Sequence, residues 1–295
     1  MSQTKPRVSI GLPVYNGQNY LAETLDNLLS QRYTDFELII SDNASTDETE
    51  AICRRYAAQD ARIRYHRAEK NRGAAWNYNR VFELATGEYF KWAAHDDLCA
   101  PEFLERCVAV LDQHPDVVLA FPRTKAIDAN GEVLEEYASK ANGLSPNIYK
   151  RFYEFVVVPH PCVSVFGLMR SRVLAKTKLI GRYTGSDRPL LGELSLRGKL
   201  YEIPEFLFFY RNHATQSWAQ PTYHAQQAWY DPQRKGKWTF PHWRLLGEHL
   251  HSIIRVPLKP QERLTCMVAM GWWVRSRWRY LANNLVLRDA YRPAK

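Results

Sequence analysis

The feature that most constrains this chain is the order in which two hydrophobic periods follow one another over its first 125 residues. Short runs rich in β-branched and aromatic residues alternate with stretches whose apolar residues recur every three or four positions. Arg7 to Leu12 reads as a strand, and Tyr20 to Gln31 as a helix with Leu21, Leu25, Leu28 and Leu29 on its apolar face. Phe36 to Ser41 is the next strand, after which Ala44-Ser-Thr-Asp47 offers capping side chains to a helix ending near Ala58. Arg62 to His66 is a third strand. Asn71-Arg-Gly73 opens a helix to about Ala85, Tyr89 to Ala94 is a buried strand, and Pro101 to His114 is a helix with proline in its first turn, where a missing N–H costs nothing. This βαβα order predicts an α/β fold: a Rossmann-like, mostly parallel sheet with helices on both faces. Covering both faces needs much apolar material, and 45% of the 295 residues supply it.

Ligands of such sheets bind beyond the carboxyl ends of the strands. Four polar segments, Pro13-Val-Tyr-Asn16, Ser41-Asp-Asn43, Asn71-Arg72 and His95-Asp-Asp97, fall at or near strand ends, so one crevice gathers them. Residues 117 to 137 read as further strands with an Asp128-Ala-Asn-Gly131 hairpin turn. Residues 138 to 162 read as an irregular, acceptor-side loop rich in turn formers. Apolar runs return at Val163 to Met169 and Leu200 to Phe209. Beyond Trp218 the pattern changes, and residues 241–256 and 261–287 read as two amphipathic helices separated by Pro257 and Pro260. The expected division is therefore an α/β domain over 1–217 and a basic, Trp-rich helical extension over 218–295.

Charge follows that division. Residues 1–205 hold 26 basic and 27 acidic side chains, residues 206–295 hold 14 and 4, so the second part alone carries +10. An anionic partner is expected there. Gly271-Trp-Trp-Val-Arg-Ser-Arg-Trp-Arg-Tyr280 interleaves tryptophan and arginine, which suits either a helix at an anionic membrane surface or one that packs its Trp side on the rest of the protein. Nucleic acid is not expected as a partner, since no recognition motif accompanies the charge. No stretch approaches the roughly 18 apolar residues of a membrane span, no signal peptide is read at the N-terminus, and five cysteines without a C-x-x-C pair suit a reducing compartment. The expected location is cytoplasmic, at most peripheral at the inner face of the cell membrane.

Val8-Ser-Ile-Gly-Leu-Pro-Val-Tyr-Asn16 followed by Asp42-Asn-Ala-Ser-Thr-Asp47 resembles the opening of family 2 glycosyltransferases, and the resemblance runs through Asn71-Arg-Gly73 and Asp96-Asp97 to about residue 217. It implies the GT-A fold and transfer of a sugar, with inversion, from a nucleoside-diphosphate sugar to a glycan or lipid-linked acceptor in cell-surface glycan synthesis. Pro13, Tyr15 and Asp42 would hold the base, by ring stacking and by a carboxylate that accepts a ring N–H. Arg72 would pair with a donor phosphate or lie as a surface arginine. Ser45 and Asp47 are read as helix caps. A divalent cation, magnesium or manganese, would neutralise the diphosphate, with Asp96 and Asp97 as ligands, His213 completing the shell or holding a structural place, and Arg211 at the phosphates.

The family's usual D-x-D-D pattern is diminished here. Ala94 stands in the first acidic position and His95 in the variable one, where the imidazole can make a polar contact to the donor instead. The stretch Thr184 to Leu194 resembles the segment that carries the catalytic base, which places that role on Asp187, with helix capping as the competing reading. A sugar-nucleotide-forming nucleotidyltransferase would need a Gly-rich phosphate loop near the N-terminus, which Gly11-Leu-Pro-Val-Tyr15 does not provide. The alternative that Ala94 favours is a catalytically impaired nucleotide-sugar- or polyanion-binding protein.

Overall fold

The computed structural model describes residues 5–139, 141–214, 216, 222–234 and 240–286. In chain order the elements are β1 (Val8–Val14), α1 (Leu21–Leu29), β2 (Phe36–Asp42), α2 (Thr49–Gln59), β3 (Ile63–Arg67), α3 (Ala74–Glu83), β4 (Tyr89–Trp92), β5 (Leu98–Cys99), α4 (Phe103–Gln113), β6 (Val117–Ile127) and β7 (Val133–Tyr137). They continue with α5 (Ile148–Val156), a 3₁₀ turn over Cys162–Phe166, β8 (Leu168–Arg170), α6 (Ser171–Leu174), α7 (Asp187–Arg197), β9 (Lys199–Arg211), α8 (Tyr223–Tyr230), α9 (Pro241–Arg255) and α10 (Pro260–Val286).

The strands form one sheet in the order β3-β2-β1-β4-β8-β6-β9-β5, with β7 attached to β6. β1, β2, β3, β4, β6 and β9 run in one direction, while β5, β7 and β8 run against them. The expected α/β architecture with a mostly parallel sheet is thus what the chain adopts. Because side chains alternate along a strand, Val8, Ile10, Leu12 and Val14 of β1 enter a cluster with Leu21, Leu25 and Phe103 from α1 and α4. The other face packs Val81 of α3 and Leu190, Leu191 and Leu194 of α7 against Phe90 and Trp92. A Cβ on Gly11 would come within 2.6 Å of Val81, so the bare backbone there lets α3 lie directly on β1.

Several local expectations shift. The helix announced by Ala44-Ser-Thr-Asp47 begins at Thr49, where Asp47 Oδ1 accepts the Thr49 N–H, while the loop after β1 also uses these side chains: Asn16 N–H donates to Ser45 Oγ and Gln18 N–H to Asp47 Oδ2. Residues 138 to 162 are not all irregular. They contain α5, capped by Asn147 accepting the Lys150 N–H, with Phe152, Phe155 and Val156 buried; Pro146, Pro159 and Pro161 bracket a helical period too short to stand out in the sequence.

Downstream, α9 and α10 lie close to the expected bounds, whereas the 217/218 division and Leu287 lie outside the described residues. Both helices pack on α5 and α7 through Phe152, Val156, Leu245, Ile253, Met270 and Trp273. α10 departs from the amphipathic pattern expected of it. Cys266, Ala269, Met270, Trp273 and Leu281 are buried, yet Leu264, Val268, Trp272 and Trp278 are exposed, so apolar residues occupy both sides.

Within this third cluster, His249 sits edge-on to Phe152 and Trp273 with Nδ1 lacking a hydrogen-bond partner among the described residues. Burial, then the charges of Arg277 and Arg188, push its pKa down to about 3. The folded chain therefore holds this imidazole neutral where the unfolded chain protonates it near 6.5. Stability is fully present above that value and falls as pH drops through the window from 6.5 to 3. Lowering the pH from 7 to 5 is expected to cost about 2 kcal/mol through this group. Denaturant titrations of wild type and His249→Met at the two pH values check it, the variant losing that part of the pH dependence.

Candidate active site

The sheet opens toward the carboxyl end of β1. β1 and β4 pair from Val8–Tyr89 to Gly11–Trp92 and then separate, while β1 continues beside β2 to Asp42. Pro13 lies just past the point of separation, where no β4 partner requires its N–H. The gap falls where the strand order reverses, β3-β2-β1 to one side and β4 to the other, which is the position at which open α/β sheets take ligands. Pro13 itself is buried, Tyr15 emerges 42% exposed, and Asn16 turns the chain with a φ of 52°.

On the β2 side, Asp42 is wholly buried. Its Oδ1 accepts the Ser45 N–H at 2.8 Å, its Oδ2 accepts the Tyr65 hydroxyl at 2.8 Å, and Arg67 Nε stands 3.5 Å away. Burial and the Asp42 carboxylate together push the Tyr65 hydroxyl pKa up, so it remains a donor. Asn43 joins this edge to the opening of α3: its Nδ2 donates to Asn71 Oδ1 and its Oδ1 accepts the Arg72 N–H. The Arg72 guanidinium lies over the Trp76 ring at the surface. Asn77 reaches back from α3, its Nδ2 donating to Val14 O and Ser41 O, and so fixes the ends of β1 and β2 together.

The β4 side holds the acidic pair, and its two members face different ways. Asp96 Oδ2 meets His213 Nε2 at 2.8 Å. Burial works to raise the Asp96 pKa, but the His213 contact and the nearby imidazoles outweigh it and hold the carboxyl below its ordinary value. Asp97, expected beside Asp96 at a metal, turns into the protein instead. Its Oδ1 accepts the Arg211 N–H at 2.9 Å and its Oδ2 is buried without a partner among the described residues. Burial and the neighbouring Asp96 charge push its pKa well up. Among the described residues no three ligand-type side chains converge as a metal cage.

Arg211 likewise departs from the donor contact expected of it. Its guanidinium is 2% exposed and donates to Asp96 O, Ala129 O and the Glu23 carboxylate while lying over Tyr20. It braces the turn that carries Asp96. Thr24 Oγ1, one residue on from Glu23 in α1, donates to His95 O from the same side, and the His95 ring remains partly open, Nδ1 4.0 Å from Asp96 Oδ1.

Asp187 begins α7. Its Oδ1 accepts the N–H of the adjacent Arg188, so it does not cap the next turn, and Ser186 at the cap position makes no side-chain cap bond either. Gly185 at φ 77° turns the chain into the helix. Burial and then the Asp187 charge push the Cys162 thiol pKa up. Burial also raises the Tyr78 pKa, and the charges of Asp96, Asp97 and Asp187 add to it. Tyr65, Asn77, Glu23 and Tyr78 were not singled out from the sequence. The polar edge at Asn71 was legible as a segment, but nothing in spacing marks an isolated Tyr or Glu that acts through a tertiary contact.

Comparisons with known proteins agree with this architecture. The profile of Glycosyl transferase family 2 matches residues 9–175. An uncharacterized glycosyltransferase of Methanocaldococcus jannaschii is 30% identical over 176 residues, 59% of this chain and 59% of that protein. A putative glycosyltransferase of Bacillus subtilis, EpsE, is 40% identical over 110 residues, 37% of this chain and 40% of its own length. The chain thus spans about half the length of these relatives. Among solved structures, S. aureus TarS 1-349 in complex with UDP-GlcNAc superposes with a TM-score of 0.68 at 15% identity, covering 95% of this chain and 79% of that one. The mannosyltransferase PcManGT of Pyrobaculum calidifontis, in complex with GDP-Man and Mn2+, superposes at 0.59 with 18% identity, covering 96% and 74%.

Proposed function

This chain belongs to glycosyl transferase family 2, and on that premise we propose that it transfers a sugar, with inversion, from a nucleoside-diphosphate sugar to a hydroxyl of a glycan or lipid-linked acceptor in cell-surface glycan synthesis. The observation that carries this reading is the meeting of Asp96 with His213 at the carboxyl edge of the sheet, beside the Tyr15 and Asp42 strand ends. In the reading, Tyr15 stacks on the base and the Pro13 segment borders it. Asp42, expected to take a ring N–H, is instead wholly buried and holds the end of β2 in place through the Ser45 N–H, the Tyr65 hydroxyl and Arg67. Arg72 and His95 lie toward the phosphates.

The residues present suit a divalent cation, magnesium or manganese. Asp96 and His213, whose Oδ2 and Nε2 stand 2.8 Å apart, would hold it. When bound, the cation neutralises charge on the departing diphosphate. The chain's own part is to place groups. Asp187 takes the proton from the acceptor hydroxyl as its oxygen bonds to the anomeric carbon, and the bond from that carbon to the diphosphate oxygen breaks on the opposite side. Arg211, held by Glu23, keeps the Asp96 turn in place. We place the protein in the cytoplasm, peripheral at the inner face of the cell membrane; the described helices include none long and apolar enough to cross it.

Thermal melts with UDP-, GDP- and dTDP-sugars, with and without manganese, test the donor site. A matching donor at 100 times its Kd adds about 2.7 kcal/mol, a Tm rise of roughly 4 °C at this chain length. Asp96→Ala is expected to remove the manganese-dependent part of the rise. A wild-type Tm that no nucleotide sugar moves would sink the reading.

A further inference from the structure

α10 presents a long face that none of the described residues covers. Over its 27 residues, about 40 Å of helix, Cys266, Ala269, Met270, Trp273 and Leu281 form the seam packed on the protein. The opposite face carries Leu264, Val268, Trp272, Arg275, Trp278 and Arg279, all exposed. Arg275 lies over the Trp272 ring and Arg279 over the Trp278 ring, each guanidinium about 5.5 Å or less from the ring centre. No acidic residue occurs between Arg263 and Val286. The composition separates along the helix, with leucine, valine and tryptophan in its first half and arginine with tryptophan in its second.

We propose that this face docks on an anionic lipid surface, α10 lying in the plane of the interface with Leu264, Val268, Trp272 and Trp278 entering the headgroup boundary and Arg275 and Arg279 pairing with lipid phosphates. Three features select this occupant. Aromatic and aliphatic residues mixed with arginine are what the boundary between headgroup and acyl chain accepts. Charge complements it, since the last 90 residues carry 14 basic against 4 acidic side chains. A second copy fits poorly, because a two-fold contact brings the same patch against itself, and this patch holds arginines without a carboxylate to meet them. The two adjacent tryptophans therefore have separate tasks. Trp273 belongs to the core at 2% exposure, and Trp272 at 46% belongs to the interface.

The inference deepens the peripheral placement proposed above and does not depend on the transfer reaction. Sedimentation of the full chain with phosphatidylcholine vesicles, with and without phosphatidylglycerol, tests it. The protein is expected to partition onto the anionic vesicles and to release as salt is raised. The exposed pair Trp272→Ala with Trp278→Ala, and separately Arg275→Glu with Arg279→Glu, should each weaken partitioning at least about tenfold, with Tm and any donor-induced Tm rise unchanged. Equal binding to both vesicle types, or partitioning retained by both variants, overturns the proposal. So does a dimer in light scattering that the tryptophan variant converts to monomer while vesicles capture neither protein. A failed donor melt with intact vesicle binding would count against the catalytic reading alone.

Discussion

Asp187→Asn is expected to lower the rate of sugar transfer by about 10²- to 10⁴-fold while leaving the donor-induced rise in Tm as it is in wild type. The replacement keeps shape, and its amide oxygen can still accept the Arg188 N–H that Asp187 Oδ1 accepts now. What it removes is the capacity to take a proton from the acceptor hydroxyl. Because the residues assigned to the donor in this reading do not include Asp187, donor binding should not register the change. The measurement pairs nucleotide release in the presence of acceptor with thermal melts. A variant that turns over at the wild-type rate removes Asp187 from the reaction, whereas a wild type that binds donor and never releases nucleotide is the catalytically impaired binder that Ala94 suggests.

The second large effect concerns stability. Glu193→Ala should lower the free energy of unfolding by about 3–5 kcal/mol, read from denaturant titrations. Glu193 is 2% exposed in α7 and pairs with Arg197 at 2.6 Å on its own helix and with Arg255 on α9, while Ser252 donates to it at 3.3 Å. Truncation leaves two guanidiniums facing a gap between α7 and α9. Glu193→Gln retains an acceptor and should cost less. If both variants unfold at the wild-type midpoint, the contact holds nothing together, and α9 must be kept in place by its apolar seam alone.

Much of the fold was legible because its first half is written in clean periods. Leu21, Leu25 and Leu28 announce a helix, and Val8, Ile10 and Leu12 a buried strand, with no tertiary information needed. Legibility fails where one residue serves two demands. Ser45 and Asp47 look like helix caps, and Asp47 does accept the Thr49 N–H at the start of α2, but Ser45 and the other Asp47 oxygen serve the loop after β1. Asp96 and Asp97 read as equals in the sequence. The turn between β4 and β5 sends one toward His213 and the other into the core. Arg211 reads as a phosphate fork because it has the donors for one, and only the arrival of Glu23 from α1 shows those donors already committed. Pro13 fits the same lesson in reverse: proline in a central strand is disfavoured in general, and here it marks where the strand stops being central. The Trp272-Trp273 pair could be read for membrane or for packing, and the helix buries Trp273 while leaving Trp272 exposed, a division that depends on a rotation of the helix no composition records.

The placement of β9 also sets an order of assembly. It pairs with β6 from Val117–Lys199 to Ile127–Arg211 and with β5 through Leu98 and Cys99, so it closes contacts between segments far apart in the chain. Such pairings form slowly, because loop-closure entropy is lost before the contact is gained. During synthesis the residues matched by the family profile emerge first, with the β6 edge still waiting for its neighbour, and unpaired edges of this kind invite wrong partners. His213 reaches Asp96 only after β9 has threaded between β6 and β5. A nascent or truncated chain ending before Lys199 would therefore carry the recognisable sequence motifs yet lack the paired imidazole and carboxylate, which makes occupancy of that pair a readout of completed folding.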